Sequence, residues 1–153
     1  GLSELKITGM RMEMVVGAKG EKIINDAYNA SPTAMKAAIE LVSELPGFQN
    51  KYLVLGDMLE LGAEEVAFHQ MIGESIKPHA IQKLFTYGKL GQHIAEGARK
   101  IMGDESVFSF QDKQELIAEL KKHIQENDLV LVKASRGMRL EEVVQALQTD
   151  CMN

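Results

Sequence analysis

Along this chain a short apolar run repeatedly hands over to an amphipathic helical pattern, and that alternation limits the fold more than any other feature. After a hairpin over residues 11–28 ("RMEMVV", a "GAKG" turn, then "EKIIND"), Met35, Ala38, Ile39, Val42 and Leu45 recur at helical spacing. Ser31-Pro32 precedes them as an N-cap followed by proline at the first helical position, and Pro46-Gly47 stops them. "KYLVLGD" is the next strand-like run. It leads into a helix expected from about Ala63 to Lys77, with Phe68, Ile72 and Ile76 on one face and Pro78 as its stop. "KLFTYG" precedes Leu90, Ile94, Ala98 and Ile101. "SVFSF" precedes an Asp112/Glu115 capping box with Leu116, Ile117, Leu120 and Ile124. "DLVLVKAS" precedes Leu140, Val143, Val144 and Leu147. Strands that alternate with helices predict an α/β domain: a Rossmann-like open sheet, mainly parallel, of about six strands including the hairpin, with helices on both faces. The short apolar strands suit burial on both sides.

With 153 residues and 45% hydrophobic content, the chain suits one domain over residues 1–153. A net charge of -5 gives no basic face, so nucleic acid is not an expected partner. A single cysteine, Cys151, rules out a disulfide framework and a cysteine-based zinc site. No apolar run approaches a membrane span, and the N-terminus has no signal-peptide layout, so a reducing, cytoplasmic setting is expected. The chain opens without methionine, as a processed or excised domain does.

In an open α/β sheet, ligands bind beyond the carboxyl ends of the strands. Three unusual stretches fall at such ends. The first, "NDAYNAS", carries Asn25, Asp26, Tyr28, Asn29 and Ser31. An aspartate there can accept from two sugar hydroxyls, an asparagine can pair with a base edge, and a tyrosine can lie against a base. The same residue types also cap helices and close Asx turns, so a purely local role fits as well. The second, "LGDMLELG", places Asp57 and Glu60 near one turn, where paired acids can hold a metal or an amine, or simply favour a helix start. The third, "VKASRGMRLE", gathers Lys133, Ser135, Arg136 and Arg139 around Gly137, as an anion site or as a plain cap with exposed arginines. His69 follows Glu65 by one helical turn, and a surface pair is expected there. Neither phosphate-loop pattern, G-x-x-x-x-G-K-[ST] or G-x-G-x-x-G, occurs. A nucleotide held here would be held by base and sugar.

"GMRMEMV", "INDAYNASPTAM", "VLGDMLELG" with a following His69, and "LVKASRGMRLEEVV" occur in the order seen in the C-terminal domain of the Mur ligases. The resemblance covers about residues 2–147. Its three loop motifs are similar to those of the branch that adds D-Ala-D-Ala to UDP-N-acetylmuramoyl-tripeptide. Many relatives carry asparagine where this chain has Ser31. The resemblance implies an ATP-dependent ligase working through an acyl phosphate, with ATP, the dipeptide and the UDP-linked tripeptide as partners. It implies N-terminal UDP-substrate and central ATPase domains outside this chain, Mg2+ held mainly by the central domain, an inactive isolated domain and a monomer. By the same resemblance Arg11 reaches the ATP phosphates, Asp26 holds the ribose with Asn25 and Ser31 beside it, and Tyr28 and Asn29 flank the adenine. Asp57, Leu59, Glu60, Ser135, Arg136 and Arg139 line the dipeptide pocket, with an arginine fork for its carboxylate. A sibling ligase adding another amino acid is the near alternative. A flavodoxin-like receiver or binding module built on Asp26, Asp57 and Lys133 is the distant one.

Overall fold

The structure, a computed structural model, describes residues 3–7, 10–28 and 30–149, with side chains from Met12 onward. The Arg11 side chain, Asn29 and Cys151 lie outside the described residues.

The strands are β1 (Ser3–Ile7), β2 (Met10–Val16), β3 (Lys22–Asp26), β4 (Lys51–Gly56), β5 (Lys83–Tyr87), β6 (Val107–Phe110) and β7 (Leu129–Lys133). They form one sheet in the order β1-β2-β3-β7-β4-β5-β6. Strands β3, β7, β4, β5 and β6 pair in parallel, while β2 runs antiparallel to both its neighbours. The open, mainly parallel sheet is the one expected, extended by β1. That strand carries little pattern of its own and takes its register from β2, with Leu5 opposite Met12.

The helices are α1 (Pro32–Glu44), α2 (Glu65–Glu74), α3 (Gly91–Met102), α4 (Lys113–His123) and α5 (Glu141–Gln148). Side chains alternate across a strand, so each central strand feeds two cores. Ile24, Leu53, Leu55, Leu129 and Leu131 join Met35, Ile39, Ile72 and Ile94 of α1, α2 and α3 on one face. Ile23, Val54, Val130 and Val132 join Leu116, Leu120, Val143 and Leu147 of α4 and α5 on the other. Ser31 and Asp112 cap α1 and α4 as their positions suggest.

Helix α2 is shorter than expected. It ends at Glu74, before Pro78, because the Ser75 hydroxyl donates to the Ile72 carbonyl at 2.7 Å and closes the last turn. In α3, Ile101 turns outward and is 38% exposed. The buried face there is Gly91, Ile94, Ala95, Gly97 and Ala98, because α2 crosses α3 at a backbone-to-backbone contact.

Candidate functional site

The turn after β3 is built by its own polar side chains. The Asn25 Oδ1 accepts from the Ala27 amide at 3.3 Å, closing an Asx turn. Its Nδ2 donates to Glu13 Oε1 at 3.2 Å and to the Tyr28 hydroxyl at 3.1 Å. The Ser31 Oγ accepts from the Ala34 amide at 3.2 Å, as a helix cap does. Asn25 and Ser31 are therefore engaged in shaping the turn. Tyr28, tethered by its hydroxyl, leaves 45% of its surface open. That is the disposition a stacking ring needs, with an apolar face free and a polar tip held.

Asp26, at the end of β3, is opposite Lys133 at the end of β7. The Lys133 Nζ donates to Asp26 Oδ2 inside the protein. A lysine closing the apolar run "LVLVK" needs such a carboxylate, since an isolated buried ammonium is strongly disfavoured. Asp26 is thereby fixed at the sheet edge, directly below the Tyr28 turn.

In the second loop, Asp57 is buried and its Oδ1 accepts from the amides of Leu90 and Gly91 at 3.0 and 2.7 Å. Leu90 supplies no side-chain cap to α3, so Asp57 serves as the cap from a distant loop, its charge facing the positive end of the helix. Gly88, at φ +107, permits this approach: a Cβ there would lie 2.3 Å from Asp57 Oδ1. Leu59 is 40% exposed, and Glu60 takes a left-handed φ of 65, a strained position for a residue with a side chain.

The third loop is tied to the second by Ser135. Its amide donates to the Asp57 carbonyl at 3.0 Å, and its Oγ accepts from the Leu59 amide at 2.8 Å. Arg136 and Arg139 are exposed at the same edge, Arg139 with a left-handed φ of 55. Glycine at 137 leaves room for Leu59, whose Cδ1 would lie 3.1 Å from a Cβ there.

The expected surface pair between His69 and Glu65 is not formed. His69 is wholly buried, and its Nδ1 lies 2.6 Å from the Glu65 backbone carbonyl, not the carboxylate. Its Nε2 accepts from the Met58 amide at 2.9 Å. Helix α2 turns this histidine inward, under the Asp57 loop. Burial pushes its pKa below the ordinary range, against weaker opposing pulls from the Glu65 backbone carbonyl and Asp57.

Strand β7 joins the three stretches because it lies between β3 and β4. Through Lys133 it holds Asp26, and through Ser135 it holds Asp57 and Leu59. Two features escaped the sequence reading: the Lys133–Asp26 pair, signalled only by a charge ending an apolar strand, and the inward His69. No group of three or more His, Cys, Asp or Glu able to hold a metal occurs among the described residues. Asp57, the candidate for a paired-acid metal site with Glu60, already accepts two amides. No described helix is long and apolar enough to cross a membrane.

Residues 10–136 match the family model for the Mur ligase, glutamate ligase domain. The chain is 54% identical over 147 residues to the UDP-N-acetylmuramoyl-tripeptide--D-alanyl-D-alanine ligase of Bacillus subtilis, covering 96% of this chain and 32% of that protein. It is 38% identical to the Escherichia coli enzyme of the same name, covering 97% of this chain and 31% of that protein. The chain thus spans about a third of the length of the curated relatives it matches. Among solved structures, the MurF ligase of Thermotoga maritima in complex with ADP superposes with a TM-score of 0.73 and 28% identity, over 88% of this chain and 29% of that one.

Proposed function

The chain belongs to the Mur ligase family as its glutamate ligase domain, and from that premise we propose that it is the C-terminal domain of a ligase joining D-Ala-D-Ala to UDP-N-acetylmuramoyl-tripeptide. In that ligase an ATP γ-phosphate passes to the tripeptide's terminal carboxylate, giving an acyl phosphate and ADP. The dipeptide amine then attacks the acyl carbon, an amide bond forms, and inorganic phosphate leaves. This domain contributes position. Such holding of an amine near an acyl phosphate can supply several kcal/mol of the barrier reduction.

One observation supports this reading: β7 and the loop after it tie the turn after β3 to the Asp57 loop along a single sheet edge. Within the proposal, Asp26 accepts from the ribose, with Asn25 and Ser31 holding its turn, and Tyr28 and Asn29 flank the adenine. Arg11 reaches the phosphates. Asp57, Leu59, Glu60 and Ser135 frame the dipeptide, and Arg136 or Arg139 takes its carboxylate as a planar fork. Magnesium falls to the central domain, which with the UDP-substrate domain lies outside this chain. The setting is the cytoplasm and the ligase a monomer.

The relatives named for this reaction support the reading, as does the ADP complex of the Thermotoga maritima ligase. The test is a titration of this domain with Mg·ATP, followed by backbone amide shifts. Saturable shifts centred on Asp26 to Ser31, without hydrolysis, are expected. An unperturbed turn at high ATP, or shifts centred on another face, overturns the nucleotide assignment.

A further inference from the structure

We propose that His69 is a positioning residue for the amino-substrate pocket, setting the backbone of the Asp57–Gly62 loop through a single hydrogen bond in a fixed tautomer. This rests on the reading of that loop as the dipeptide pocket.

The tautomer follows from the partners. A carbonyl oxygen only accepts, so the Nδ1 atom 2.6 Å from the Glu65 carbonyl carries the proton. The Nε2 atom is then bare and accepts from the Met58 amide at 2.9 Å. His69 and Met58 are both wholly buried, so neither water nor substrate reaches this bond. An apolar side chain of similar volume would fill the space and leave the Met58 amide unpaired in the interior, a costly state.

Met58 occupies a particular place in the loop. The peptide before it is held through the Asp57 carbonyl by the Ser135 amide, and the one after it through the Leu59 amide by the Ser135 Oγ. His69 holds the other end of the first of these, the Met58 N–H of the Asp57–Met58 peptide group. Consecutive peptide groups are thus pinned to α2 on one side and to the third loop on the other. The chain then turns through Glu60 in a left-handed conformation. Leu59 and Glu60 are exposed and are the side chains this loop offers to a ligand. A shift at Met58 moves both, though His69 itself touches neither solvent nor substrate.

The two ring nitrogens can be separated by substitution. In His69→Gln the side-chain amide reaches about as far as Nε2 and retains an acceptor for Met58. In His69→Asn the amide reaches only about as far as Nδ1, so Met58 loses its acceptor while polarity is kept. In the full ligase, His69→Asn is expected to raise the KM for the amino substrate about tenfold, with the KM for ATP within about twofold of wild type. His69→Gln is expected to restore most of the loss. Equal behaviour of the two variants, or a parallel rise in both KM values, overturns the proposal.

Amide exchange in this domain gives the second readout: Met58 should lose protection in His69→Asn and keep it in His69→Gln. Unchanged protection in both variants overturns the hydrogen-bond assignment whatever the ligase's substrate. If the wild-type enzyme adds a different amino acid, the D-Ala-D-Ala reading fails. The role of His69 is then scored by the KM for that amino acid.

Discussion

Lys133 and Asp26 face each other across neighbouring parallel strands, with the lysine Nζ 2.5 Å from Asp26 Oδ2 and both side chains buried. Breaking a buried pair from one side leaves an uncompensated charge, which typically costs about 3–5 kcal/mol. Lys133→Met is therefore expected to destabilise the domain by roughly that amount in urea denaturation. Adding Asp26→Asn to it should recover part of the loss, because no lone charge remains. A full loss in the double variant, equal to the sum of the two single losses, would show that the partners do not interact.

His69 gives the fold a pH dependence with a defined sign. Burial lowers its folded-state pKa from the ordinary 6.5, with a lesser contribution in the same direction from His93, while Glu65 and Asp57 pull the other way. The unfolded chain therefore binds a proton at a pH where the folded chain does not. The stability from keeping this ring neutral is complete above about pH 6.5 and declines as pH falls below it, levelling off beneath the folded pKa. Denaturation midpoints across mildly acid pH should show this slope, and His69→Gln should flatten it.

The crossing of α2 and α3 depends on two glycines. A Cβ at Gly73 would lie 2.0 Å from the Ile94 carbonyl oxygen, and one at Gly97 would lie 2.1 Å from the Gln70 carbonyl oxygen. Both obstacles are backbone, which cannot swing aside as a side chain can. In an exposed helix, Gly→Ala gains about 1 kcal/mol. Here Gly97→Ala is expected to lose at least about 2 kcal/mol, as overpacked cores do. A raised melting temperature in that variant would show that the helices do not pack this closely.

Much of the fold is visible in local pattern. Met35, Ala38, Ile39 and Val42 recur at helical spacing and are all buried on α1, and Val143, Val144 and Leu147 do the same on α5. Helix edges were less visible where a side chain decides them, as Ser75 does at the end of α2. Among the site residues, Ser31 was legible as a cap because its partner lies three residues away. Asp57 was not, because the amides it caps belong to residues 90 and 91.

The class of fold, the alternation of strand and helix, and the loops that share the carboxyl edge of the sheet are thus legible in the linear pattern. Those follow from periodicities a few residues long, set by the geometry of each element. The entry of β7 between β3 and β4, the meeting of Lys133 with Asp26, the joining of two loops by Ser135 and the inward turn of His69 emerge in the folded molecule alone. Each of those pairs groups that are remote in sequence. A buried charge or amide must find a partner, but the chain's linear order does not say which one becomes its neighbour in space.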